Sequence, residues 1–234
     1  MNHTPPVFDN RDWALITGAS GTLGKAMARK AAAAGLGLLL SSRDEPALHA
    51  LALELRVLCG DRCLVLPVDL ASPNGAELLL QDLRERSLRV RLLVHAANSR
   101  LEGTFLDEDP ITQADWLQLN QLSLLQLCRG LGPAMVGHGW ARILAIVPEP
   151  GASDSRQVLA RAGQDWIERF VIQLNEELAG QDVRIASWPR RGNEDPDTMA
   201  ADAWARLLST HDTPAARAGS ANWLGRLLAR ILPR

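Results

Sequence analysis

Short apolar runs alternate along this chain with longer stretches in which apolar residues recur every three or four positions. The first pattern is that of a strand covered on both faces, and the second is that of an amphipathic helix. Trp13 to Thr17 reads as a first strand, and Gly24 to Ala34 as a helix ended by Gly35. Leu36 to Ser41 is a second strand, Asp44 to Leu58 a helix, and Cys63 to Val68 a third strand. Asn74 to Arg86 is helical and Val90 to His95 is a fourth strand. Two long helices, Thr112 to Val136 and Ser155 to Ala179, flank a fifth strand at Arg142 to Val147, and Val183 to Trp188 is a sixth. Alternation of this kind predicts an α/β fold with a doubly wound parallel sheet and helices on both faces.

Beyond Pro189 the pattern weakens. Arg190 to Thr198 is polar and turn-rich, Met199 to Ser209 is a short helix, and Asp212 to Ser220 is a loop. The last helix, Ala221 to Leu232, carries Trp223, Leu224, Leu227, Leu228, Ile231 and Leu232 on one face, with Arg226 and Arg230 off it. Packing on its own domain or a partner is the plain reading; an interfacial membrane helix is the alternative, weakened by so small a basic face. The expected organisation is a loose tail over 1–11 and one domain over 12–234. Within that domain, 189–219 is a variable loop region and 220–234 an amphipathic helix.

Composition narrows the functional classes. The 234 residues suit one α/β domain, and a net charge of −2 gives no basic surface for nucleic acid. No run reaches the roughly 20 apolar residues that span a membrane. Cys59, Cys63 and Cys128 form no metal-ligand spacing, and Cys59 and Cys63 share a helix face or flank a turn. An odd cysteine count without a signal peptide predicts a reducing, cytoplasmic setting.

The strongest local signal is Thr17-Gly-Ala-Ser-Gly-Thr-Leu-Gly24, between a predicted strand and a predicted helix. Glycines at 18, 21 and 24 allow a tight turn and the approach of a pyrophosphate to a helix N-terminus. A glycine-rich turn with no ligand is the plain alternative. Arg43, after the second strand, stands where a guanidinium pairs with a ribose 2′-phosphate, which favours NADP over NAD; a solvated arginine is the other reading. Val68-Asp69-Leu70 follows the third strand, and His95-Ala96-Ala97-Asn98 follows the fourth.

These motifs and their spacing resemble the short-chain dehydrogenase/reductase family, from Trp13 to Trp188. The resemblance implies a Rossmann-like, three-layer αβα fold, with the C-terminal helix replacing the usual final strand. It implies NADP contacts at Gly18, Ser20, Gly21, Leu23, Gly24, Arg43, Asp69, Leu70, Ala96 and Ala97. The glycines follow TGxxGxxG rather than the commoner TGxxxGxG, with Thr22 where a glycine often sits. The family's N-N-A-G turn has become His95-Ala-Ala-Asn98, which removes side-chain hydrogen bonds that hold it.

The same resemblance exposes a conflict. The family's general acid is a tyrosine, assisted by a lysine one helical turn later, a serine after the fifth strand and an asparagine in the preceding long helix. This chain contains no tyrosine, and no lysine after Lys30. The serine slot falls on Pro148, the tyrosine slot on Ala160, the lysine slot on Gln164 and the asparagine slot on Ser123. No catalytic residue is therefore assigned. Replacement candidates are His95, Glu149, Asp154 and Arg161, with Ser153 and Ser155 as spare hydroxyls. His95 also reads as a turn residue bonded to backbone, Glu149 as a loop charge, and Arg161 with Asp165 as a surface ion pair.

The leading expectation is an NADP(H)-binding homologue with degenerate chemistry, acting as a regulatory or structural partner. The alternatives are an oxidoreductase with a non-standard proton donor and a pure interaction module. Family resemblance implies a homodimer or heteromer through the two long helices, which carry Trp116, Leu119, Leu122 and Leu127, then Trp166, Phe170 and Leu174.

Overall fold

In the computed structural model, residues 8–99, 101, 104–147, 158–189 and 194–209 are described. Six parallel strands lie in the order β3-β2-β1-β4-β5-β6. They are β1 (Asp12–Thr17), β2 (Gly37–Ser42), β3 (Cys63–Pro67), β4 (Arg89–His95), β5 (Ala141–Val147) and β6 (Val183–Pro189). The helices are α1 (Thr22–Ala33), α2 (Glu45–Cys59), α3 (Gly75–Glu85), α4 (Pro110–Leu117), α5 (Ser123–Gly137), α6 (Val158–Glu177) and α7 (Pro196–Leu208).

Strand alternation divides the core into two layers. Ala14 and Ile16, Leu38 and Leu40, Leu92 and Val94, and Leu144 and Ile146 meet α1, α2 and α7 on one face. Leu15, Leu39, Leu93, Ile143 and Ala145 meet α3, α5 and α6 on the other. β2 and β5 are buried at every position, which is why Leu38 to Leu40 and Ile143 to Val147 read as apolar runs. Strand order reverses between β1 and β4, so their C-terminal ends diverge and open a crevice there.

Element ends shift slightly from expectation, each for a local reason. α7 starts at Pro196, inside the segment read as a loop, because Asp195 accepts from the Thr198 amide at 2.9 Å and proline suits the first helical position. The long helix expected over Thr112 to Val136 is continuous, but Gln118–Leu122 between α4 and α5 is a π-turn. Gln118, Asn120, Gln121 and Ser123 are buried at or beside it. Cys59 and Cys63 flank the turn from α2 into β3. Burial, with Cys59 beside it, pushes the Cys63 thiol up to about 12. The expected helix at 220–234 lies outside the described residues.

The N-terminal edge of the sheet, opposite the crevice, is locked by arginines. Buried Asp12 pairs with Arg89 at 2.6 Å and with Arg91 at 3.7 Å. Arg142, 1% exposed, donates to the Ala141 and Asp182 carbonyls and pairs with the Asp182 carboxylate at 2.8 Å. Its guanidinium lies 4.5 Å from the centre of the Trp140 ring, and that of Arg91 lies 5.3 Å from it. Phe8 meets Trp140 edge-on at 5.7 Å, and Asp9 pairs with Arg89. Phe8 and Asp9 are thus held against the sheet.

Candidate functional site

The crevice is built from three strand ends. After Thr17 the chain turns at Gly18, whose φ of +64° is unfavourable for any residue with a Cβ. A Cβ there would also lie 2.5 Å from the Ala96 carbonyl oxygen. The Ala19 amide donates to the Ser41 carbonyl and the Gly21 amide to the Gly18 carbonyl, which fixes the turn between β1 and β2. α1 then begins at Thr22, and at Gly24 a side chain would collide with the Gly18 carbonyl. The first turn of α1 has neither a side-chain cap nor an acidic residue. Its unused N–H groups and positive dipole end therefore suit an anion.

The second wall comes from β2 and β3. Ser42 accepts from the Asp44 amide at 3.2 Å, and the Val68 amide donates to the Ser42 carbonyl. Arg43 is exposed, with Nε 3.9 Å from Asp69 Oδ1, while that same oxygen accepts from the Ala71 amide at 2.9 Å. So loose a pair in solvent is weak, and Arg43 is available to a stronger acceptor.

The third wall is the turn after β4. The Ala96 amide donates to the Thr17 carbonyl at 3.2 Å, and the Ala97 amide donates to Thr17 Oγ1 at 3.3 Å. Asn98 Nδ2 closes the turn on the Ala96 carbonyl at 3.1 Å. These bonds hold the turn in which the leading asparagines of the resembled family are missing.

Together these walls enclose a cleft of about 350 Å³, which is within the range of small-molecule sites. Gly18, Ser20, Gly21, Arg43, Asp69, Leu70, Ala96 and Ala97 line it. Leu23 and Gly24 do not: Leu23 is buried in the core, and Gly24 lets α1 sit against the turn beneath the cleft. Ser42, Asp44, Val68, Asn98 and Leu119 line it as well. Val68 and Asn98 belong to the motifs after the third and fourth strands, so their contribution is readable in the sequence; Leu119 enters from a helix distant in sequence, which no local signal announces.

Among the described residues, the slot positions Ser123, Ala160 and Gln164 are not part of the cleft lining. Ser123 is buried, with Oγ donating to the Leu119 carbonyl at 2.6 Å. Ala160 lies on the buried face of α6 with Gly163 and Ile167. Gln164 donates along its own helix to Glu168 at 3.1 Å. Pro148, Glu149, Ser153, Asp154 and Ser155 lie outside the described residues.

Two expectations need correction. His95 ends β4, as the strand reading over Val90 to His95 has it, so its alternative reading as a turn residue falls; it is 2% exposed. Burial lowers its pKa to about 4, against a smaller raising effect of the Leu119 backbone. It is therefore neutral at neutral pH, and both ring nitrogens meet hydroxyls, Thr17 Oγ1 at 3.0 Å and Ser123 Oγ at 3.3 Å. Both nitrogens are thus engaged, and His95 is not among the residues lining the cleft. Arg161 and Asp165 are both exposed, and no ion pair joins them. An exposed pair at this spacing gains too little to hold two mobile side chains together.

The family model for short chain dehydrogenases matches residues 12–188. The chain belongs to that family. It is 31% identical over 176 residues to the oxidoreductase YmfI of Bacillus subtilis, covering 74% of this chain and 71% of that protein. It is 34% identical over 208 residues to the rhamnolipid-biosynthesis 3-oxoacyl-[acyl-carrier-protein] reductase of Pseudomonas aeruginosa, covering 81% and 79% respectively. Among solved structures, a short-chain dehydrogenase from Sphingobium yanoikuyae in complex with NADPH has a TM-score of 0.77 at 23% identity, covering 95% of this chain and 97% of that one. That likeness confirms the Rossmann-like fold. Among the described residues, no helix of this short-chain dehydrogenase homologue is long and apolar enough to cross a membrane.

Proposed function

We propose that the chain binds NADP(H) in this cleft and has lost the tyrosine-dependent reductase chemistry of its family. The observation that carries the first half is the Gly18 turn, which opens the uncapped α1 N-terminus to an anion at the switch point of the sheet. Gly18, Ser20 and Gly21 would hold the pyrophosphate, Arg43 the 2′-phosphate, Asp69 and Leu70 the adenine side, and Ala96 and Ala97 the nicotinamide side. Relatives with NADP or NADPH in their structures support the choice of nucleotide. When bound, the nicotinamide nucleotide supplies a hydride.

The second half rests on the sequence and on the packing around the old slots. No tyrosine is present anywhere, and Ala160 and Gln164 offer no acid and no cation. Such a protein acts as a regulatory or structural partner that senses or retains the nucleotide. Leu117, Leu122 and Leu125 are exposed large apolar residues along α4 to α5, and they suit a homodimer or heteromer contact through the long helices.

Calorimetric titration of the full chain with NADPH, with NADH as control, tests the reading. The expected result is binding that prefers NADPH, with no carbonyl reduction across a panel of ketones and 3-oxoacyl thioesters. Absence of binding to either nucleotide overturns the first half, and sustained NADPH oxidation with a carbonyl overturns the second. A second reading, an oxidoreductase with another proton source, is favoured by the match to named reductases across residues 12–188. Under it, Glu149→Gln abolishes turnover.

A further inference from the structure

His95 joins, behind the cleft wall, segments that are remote in sequence. Its Nδ1 is 3.0 Å from Thr17 Oγ1, at the end of β1 where the phosphate turn begins. Its Nε2 is 3.3 Å from Ser123 Oγ, in the helix beyond the π-turn. All three side chains are buried: Thr17 and Ser123 are fully enclosed and His95 nearly so. Each outer hydroxyl also holds a backbone group of a residue in the cleft wall. Thr17 Oγ1 accepts from the Ala97 amide, and Ser123 Oγ donates to the Leu119 carbonyl.

The directions of these bonds can be assigned in turn. Ser123 has one hydroxyl proton, and its 2.6 Å contact with the Leu119 carbonyl uses it. Ser123 Oγ is then an acceptor toward the ring, so Nε2 carries the ring proton. In a neutral imidazole Nδ1 is then an acceptor, and Thr17 donates to it. Thr17 Oγ1 in turn accepts from the Ala97 amide. The chain runs without conflict from the Ala97 N–H to the Leu119 carbonyl. The π-turn contributes to this arrangement: the Ser123 amide bonds five residues back to the Gln118 carbonyl, while the Ser123 side chain takes the Leu119 carbonyl.

We propose that His95 is a positioning residue for the nicotinamide end of the cleft, setting the Ala97 and Leu119 walls through Thr17 and Ser123. This rests on the NADP(H) reading above. The phosphate turn, Arg43 and Asp69 lie outside the His95–Ser123 bond, so the adenosine end of a bound nucleotide does not depend on it. The two ends of the ligand therefore separate the role from general stability.

The test titrates the full-length wild type, His95→Asn, His95→Gln and Ser123→Ala with NADPH and with adenosine 2′,5′-bisphosphate, which lacks the nicotinamide half. Asn reproduces the Nδ1 position and Gln the Nε2 position. Wild type is expected to bind both ligands. His95→Asn and Ser123→Ala are expected to weaken NADPH roughly tenfold, as for one buried hydrogen bond, and to change the bisphosphate less than about twofold. His95→Gln, which keeps a group at Nε2, is expected to recover part of the NADPH loss. Nitrogen-15 NMR of the wild-type imidazole is expected to show a protonated Nε2 and a bare Nδ1, with resonances that move on adding NADPH but not on adding the bisphosphate. Equal weakening of both ligands, or an unchanged NADPH affinity in every variant, overturns the proposal while leaving the cofactor reading intact. A proton on Nδ1 overturns the assigned chain. A wild type that binds neither ligand overturns the cofactor reading and this inference with it.

Discussion

The β1–β4 half of the sheet and the α4–β6 half both contribute to the buried core but differ in what they offer a ligand. In the first half, three strand ends converge on one cleft, and glycine, arginine and aspartate meet there in the arrangement of a nucleotide site. In the second half, β5 is buried throughout and β6 pairs in register with it, yet Ala160 and Gln164 contribute no acid and no cation. Among the described residues, Leu119 is the one of that half that lines the cleft. The contrast teaches that packing and chemistry in an α/β domain are separable. Core positions are specified by apolar area, whereas a proton-transfer site is specified by a few side chains whose loss leaves the core unchanged.

Gly18→Ala strikes the binding half hardest. The new methyl group faces a positive φ and the Ala96 carbonyl at 2.5 Å, so about 2–4 kcal/mol of stability and at least about 100-fold of NADPH affinity should be lost. Thermal melting and calorimetry check this; wild-type values for both would mean that the turn is not a binding element.

The pH dependence of unfolding comes next in size. His95 has a folded pKa of about 4, below the ordinary 6.5 of the unfolded chain. The unfolded state therefore binds more protons between those values, so stability falls as pH drops from 6.5 through 4 and is unaffected by this group above 6.5. The loss at the acid end is about 3 kcal/mol for a shift of this size. Urea titrations across that range should show the slope, and His95→Asn should flatten it.

Arg43→Ala is smaller: NADPH affinity should fall about tenfold, near 1.4 kcal/mol, with NADH unchanged. Equal losses for both nucleotides would deny Arg43 its role at the 2′-phosphate. Arg161→Ala, in the other half, should move stability by less than about 0.5 kcal/mol, because the residue is exposed and no ion pair joins it to Asp165. A larger shift in a thermal melt would show that α6 holds something in solution through this charge.

Most of the fold was legible because strands buried on both faces write themselves as apolar runs, as Leu38 to Leu40 and Ile143 to Val147 do. The glycine turn was legible for a similar reason: Gly18 stands at a positive φ against the Ala96 carbonyl, where a side chain does not fit. What escaped depended on distant partners. Leu119 reaches the cleft, and His95 bridges Thr17 to Ser123, only because β1, β4 and a helix more than twenty residues beyond β4 meet in space. The π-turn at Gln118–Leu122 has no composition signature; its buried amides look, in sequence, like an ordinary polar stripe. Asp195 and Pro196 did announce the start of α7, but as a capping pair inside a segment that otherwise read as a loop.

The arginine lock around Asp12, Trp140 and Asp182 has a consequence for how such a protein can change over time. It anchors the sheet at the edge farthest from the cleft and shares none of the cleft's lining residues. A scaffold anchored this way tolerates replacement at its working end, since substitutions there do not draw on the interactions that keep the strands together. Inheritance can thus erase a reaction and preserve a receptacle.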